Sequence, residues 1–194
     1  MPLSHRFKPL PLSSMTMAPE LPKVQRMALA HDPAMSLLTD LHHSACVVAH
    51  QQDGLDQTMH LMLRAGVRMV FVSDAAGELV GMVTAEDIQG ERPVVHASTR
   101  QVPHRELTVA DVMVPVTQWD TVDLGSVRTA RLGDIAETLH EHGLRYLLVT
   151  QQKNGKTVLR GLFSARRLEM AMNTTIEPDL HSRSFAELEM VLAH

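Results

Sequence analysis

At 194 residues, with a formal net charge of −4 and no long basic run, the chain can fill one or two compact units and lacks the clustered Lys and Arg of a nucleic-acid surface. Its single cysteine, Cys46, excludes an internal disulfide, and no apolar stretch approaches a signal-peptide core or a membrane span, so a cytoplasmic location is expected. Aromatics make up only 3% against 13 Met, so a flat ligand would be gripped by aliphatic and Met side chains rather than stacked on rings, and most of the Met are read as core filling.

Residues 1–33 read as a partly irregular tail, with a short helix over Leu21–Ala30. The first structured unit is placed at 34–92. Ala34–His42 reads as a brief helix and Cys46-Val47-Val48 as the opening strand, with Cys46 a small buried core residue. After a loop, Leu55, Thr58, Met59 and Met62 fall on one helical face, and Gly66 stands where a C-terminal glycine belongs. Val67–Val72 and Leu79–Val83 are apolar β-branched runs around the turn residues Ser73–Gly77. Thr84 is then an N-cap, with Glu86 and Asp87 in the first turn of the next helix.

Residues 93–106 form a linker by composition; the Pro-containing stretch begins at Gly90. The second unit is placed at 107–172. Thr108 caps a short helix that ends before Pro115, and Trp119–Leu124 and Val127–Ala130 are expected to be extended. Leu132, Ile135, Ala136 and Leu139 repeat the helical face, Gly143 follows, and a hairpin with Asn154-Gly155 at its tip runs into a helix over Ser164–Met172. In the tail at 173–194, Ser184 and Glu187 make a capping box, and Phe185, Leu188, Val191 and Leu192 form one apolar face of a terminal helix.

The two units are copies. Gly66-Val67-Arg68 matches Gly143-Leu144-Arg145 at an offset of 77 positions, and Gly81-Met82-Val83-Thr84 matches Gly161-Leu162-Phe163-Ser164 at an offset of 80. The three extra residues fall in the second hairpin. A repeat with one turn insertion predicts two similar units packed together, each too small to bury a core alone.

With Gly81-Met82-Val83-Thr84-Ala85-Glu86-Asp87 standing as G-h-x-T-x-x-D after a repeated Gly-h-Arg, the region Ser36–Met172 resembles a tandem pair of CBS domains. The resemblance implies an α/β (α+β) fold of two β-α-β-β-α repeats in one pseudo-two-fold module. It also implies that Asp87 and Thr84 hold the ribose and phosphate of an adenine nucleotide (AMP, ADP, ATP or another adenosyl ligand). The base would then touch Val67, Met69 and Met82. Two departures stand out: Phe71 and Leu148 replace the prolines common in the family's first hairpin strand, and Arg167 replaces the acid of the second motif.

The residues themselves fit that chemistry in part. A carboxylate at Asp87 can accept from both hydroxyls of a diol, whereas Arg167 can only donate. Arg68 and Arg145 can neutralise phosphate. A second site, built on Ser164, Arg167, Leu144 and Arg145, is accordingly empty or takes phosphate without ribose. The 12 His show no i, i+4 pair of the zinc-binding kind, so no metal site is expected. No nucleophile arrangement, Walker loop or dinucleotide fingerprint is present, so an enzyme is not expected, nor a required cofactor. The function expected is a regulatory adenine-nucleotide-binding module acting on an unidentified partner protein; the alternative is a structural or interaction module that has lost its ligand. The faces Leu55/Met59/Met62 and Leu132/Ile135/Leu139 are expected to complete a homodimer.

Overall fold

The computed structural model describes residues 10–20 and 27–177. In chain order a 3-10 turn at Ala34–Leu37 leads to β1 (Thr39–Asp40), β2 (Val48–His50), α1 (Leu55–Ala65), β3 (Met69–Ser73), β4 (Leu79–Thr84), α2 (Ala85–Gln89) and α3 (Glu91–Arg100). Then come α4 (Val109–Val112), β5 (Val114–Pro115), β6 (Thr121–Asp123), α5 (Leu124–Thr129), α6 (Leu132–Glu141), β7 (Tyr146–Lys153), β8 (Lys156–Ser164) and α7 (Ala165–Met172). The two β-α-β-β-α units are β2-α1-β3-β4-α2 and β6-α6-β7-β8-α7, the second carrying α5 as an addition.

Each unit builds one four-stranded sheet, but neither sheet is made from its own unit alone. The orders are β2-β3-β4-β5 and β1-β8-β7-β6. β5, which precedes the second unit, pairs antiparallel with β4 of the first; β1, which precedes the first, pairs antiparallel with β8 of the second. Isolated bridges repeat the exchange, Gly54 with Thr108 and Arg131 with Pro33. The glycines of the repeated motif are where this exchange is enforced. A Cβ on Gly81 would lie 2.8 Å from the Val114 carbonyl oxygen, and one on Gly161 would lie 2.7 Å from the Thr39 carbonyl oxygen. Only glycine lets the visiting strand approach so closely.

β3 and β7 are buried on both faces. From β3, Val70 and Val72 face a core with Leu55, Met62, Val83 and Ile88, while Met69 and Phe71 face a second cluster. From β7, Leu147 and Val149 join Leu124, Ile135, Leu139, Phe163 and Leu168, while Leu148 joins that second cluster. The cluster of Met69, Phe71, Leu148 and Leu162 thus comes from both sheets, which pack face to face with helices outside. Phe71 and Leu148, at the positions of the absent prolines, fill this seam, and Phe71 meets Trp119 with ring centroids 6.2 Å apart.

The turns follow their residues. Asn154 (φ 52°) and Gly155 (φ 74°) make the two-residue tip of the second hairpin. Gly66 (φ 66°) closes α1 in the left-handed conformation. Thr108 caps α4 as expected, with Asp111 completing a capping box.

Several expectations are corrected. Cys46 is exposed, because it precedes the pairing with β3, which starts with the Val47 carbonyl accepting from Phe71. Ala34–His42 is a four-residue 3-10 turn followed by β1, since pairing with β8 extends the chain. Val127–Ala130 is not extended: Asp123 caps Gly125 and starts α5, which runs to Thr129. Much of the linker is helix, with Pro93 in the first turn of α3, where its missing N–H costs nothing. Of Leu21–Ala30, residues 27–29 are not helical and 21–26 lie outside the described residues, as does the terminal helix over 184–192. The faces assigned to a dimer are internal: Leu55 and Met62, with Leu132, Ile135 and Leu139, are buried within their own units. No helix among the described residues is long and apolar enough to cross a membrane.

Candidate functional site

The motif at the end of β4 sets the first half of the site. The Thr84 hydroxyl accepts from the Asp87 backbone N–H at 3.1 Å and donates to Asp87 Oδ2 at 2.7 Å; the Thr84 backbone N–H donates to the same oxygen at 2.9 Å. The reciprocal bonds are a capping box and use the only hydroxyl proton of Thr84. Asp87 Oδ1 pairs with Arg92 Nη1 of α3 at 3.1 Å, and that nitrogen also donates to the Val112 carbonyl at 3.2 Å. Arg92 is a participant that composition alone hid inside an apparent linker.

The same construction recurs at Thr108 and Asp111. Asp111 Oδ2 accepts from the Thr108 backbone and hydroxyl, and Arg100, at the other end of α3, pairs with Oδ1. Burial alone would raise the Asp111 carboxyl; the Thr108 bonds and the Arg100 charge outweigh it and leave the group below its usual range.

The second half of the site is a cavity of about 90 Å³ between the units. It is lined by Arg68 and Glu86 from the first and by Arg145, Tyr146, Ser164, Ala165, Arg166 and Glu169 from the second. The repeat explains the meeting: Arg68 and Arg145 are equivalent positions, each placing its carbonyl on the first amide of the helix after its hairpin, Ala85 and Ala165. Glu86 lies 3.9 Å from Arg68 and 3.8 Å from Arg145, and Glu169 lies 4.0 Å from Arg145. These are ion pairs longer than hydrogen bonds, so the guanidinium donors keep capacity for an anion. Ser164, unlike Thr84, makes no capping bond with its side chain. Its hydroxyl, in the cavity lining, therefore has a donor to offer. Burial, followed by the charge of Glu86, pushes the Tyr146 phenol above its ordinary pKa, so it stays a neutral donor.

The CBS domain family matches residues 38–92. The match covers the first unit alone. Among solved structures, an uncharacterised conserved protein from Pyrococcus horikoshii is 19% identical, with 76% of this chain and 97% of that chain covered and a TM-score of 0.52. A CBS-domain-containing protein from Agrobacterium tumefaciens is 16% identical, covering 77% and 98%, with a TM-score of 0.51. A structure of CBSX2 in complex with AMP is 21% identical, covering 73% and 95%, with a TM-score of 0.48. At these identities the likeness is one of fold. Among curated proteins, none matches the chain.

Within this fold the expected site residues divide into groups. Arg68, Arg145 and Ser164 come together around the cavity. Thr84 and Asp87 are tied into their capping box beside Arg92. Val67 packs on the first core and Leu144 on the second, while Met69 and Met82 lie in the seam between the sheets. Arg167 donates to the Thr39 hydroxyl at 2.8 Å, fastening α7 to β1 rather than facing the cavity. Among the described residues no group of His, Cys, Asp and Glu has the arrangement of a metal site.

Proposed function

We propose that this CBS pair is a regulatory binding module, not an enzyme, that takes an adenine nucleotide between its repeats and passes the occupancy to a partner protein. The observation that carries the reading is the convergence of Arg68 and Arg145, one from each repeat, on a cavity beside the uncapped Ser164 and the start of α7. Three arginines face two glutamates there, which suits an anion of phosphate size. Phosphate would lie against Arg68, Arg145 and Ser164, the ribose diol at Asp87, and the base toward Val67, Met69 and Met82. A cavity of about 90 Å³ is well below the roughly 300 Å³ of a small-molecule site, so the nucleotide must widen the mouth around Tyr146. A homodimer in the cytoplasm is part of the proposal, to be tested by sedimentation.

The second reading is an interaction module without a ligand. It is favoured by the engaged Asp87 and by Phe71 and Leu148 in the seam. A thermal-shift panel of adenosine, AMP, ADP and ATP separates the two. A ligand at a hundred times its dissociation constant stabilises by about 2.7 kcal/mol. We expect the phosphorylated members to raise the melting temperature more than adenosine does. No shift with any of them overturns the nucleotide reading and leaves the interaction module.

A further inference from the structure

Asp87 has no open oxygen for a ribose diol while Arg92 is in place. Its Oδ2 already accepts two bonds from Thr84, at 2.9 and 2.7 Å, which fills that oxygen. Oδ1 lies in an ion pair with Arg92 Nη1 at 3.1 Å, so the guanidinium occupies its approach. Two ligand hydroxyls can both reach Oδ1 only if Arg92 leaves it. The alternative, breaking the capping box, would strip α2 of its N-terminal bonds.

We propose that Arg92 is a latch: α3 holds the Asp87 carboxylate through Arg92, and a vicinal diol takes that carboxylate only as Arg92 withdraws. The inference rests on the nucleotide reading above and adds its regulation. Helix α3 is suited to the task because it is clamped at both ends, by Arg92 to Asp87 and the Val112 carbonyl and by Arg100 to Asp111. Releasing Arg92 removes the side-chain tie of the first turn of α3 to Asp87 and to the Val112 carbonyl, while Arg100 keeps its last turn in place. Val94 and Val95, exposed on the released half, are the surface that changes with occupancy.

The test uses the full chain and adenosine, which has the diol but no charge. Arg92→Met should tighten adenosine up to about fivefold, the yield of a part-exposed ion pair. It should leave 2′,3′-dideoxyadenosine no tighter. If the variant folds poorly, wild type serves: added NaCl screens the Arg92–Asp87 pair, so adenosine should bind more tightly at high salt. ATP binding in calorimetry with neither adenosine response present overturns the latch alone. Failure of both adenosine and ATP to bind either protein overturns the nucleotide reading, and the latch with it.

Discussion

Gly161→Ala tests whether the strand exchange between the units holds the module together. The added Cβ would sit 2.7 Å from the Thr39 carbonyl oxygen and 2.9 Å from Leu38 Cδ1, so the β1 backbone must retreat by about 0.7 Å to reach the 3.4 Å of ordinary contact. That backbone is not free to move. Leu41 N–H donates to the Arg160 carbonyl at 3.1 Å, and Arg160 clasps Asp40 with two nitrogens, one of them at 2.8 Å from Oδ2. Overpacking of this kind costs about 1–3 kcal/mol. In a domain of this size, about 2 kcal/mol lowers the melting temperature by roughly 4–8 °C. Urea unfolding followed by circular dichroism measures the loss directly. A change below about 0.5 kcal/mol would refute the claim that this glycine exists to admit β1.

Three further outcomes are expected. Arg160 holds the Asp40 carboxyl down to about 2 from 3.8, so the pair's stabilisation is complete above pH 3.8 and disappears as pH falls to about 2; stability profiles over that window should flatten in Arg160→Met. Asp87→Ala removes the acceptor for the Thr84 N–H as well as the Arg92 partner, so it should cost about 1–2 kcal/mol in urea unfolding, more than a first-turn acid alone. Cys46, being exposed, should react with a thiol reagent in the native state at the rate of a free cysteine; slow reaction limited by unfolding would contradict its placement.

What the sequence disclosed was whatever its local pattern controls. Leu55, Thr58 and Met62 recur at helical spacing because one face of α1 is core, and Asn154-Gly155 marks a hairpin because both residues adopt positive φ. The two Gly-h-h-T/S copies were visible 80 positions apart, but their reason was not. It lies in two-residue strands, β1 and β5, whose pairing partners are far away in the chain and leave no periodicity. Helix α3 was hidden by Pro93 and by a face with few apolar residues. A signal did exist: Arg92 and Arg100 are eight positions apart, near two turns of one face, and Thr84-x-x-Asp87 and Thr108-x-x-Asp111 supply two equivalent acids. The site was half legible. Arg68 and Arg145 could be paired through the repeat, whereas Tyr146, at the start of β7, and Arg166 and Glu169, on α7, join them only through the packing of the second unit.

Isothermal titration of ATP into wild type and into the Arg68→Ala/Arg145→Ala double variant tests the central claim most directly. The account predicts one nucleotide per chain in wild type. In the double variant ATP affinity should fall at least about tenfold, the loss of one charge-assisted hydrogen bond or more, while adenosine affinity stays unchanged. No ATP binding in wild type, or equal ATP affinity in both proteins, would contradict it.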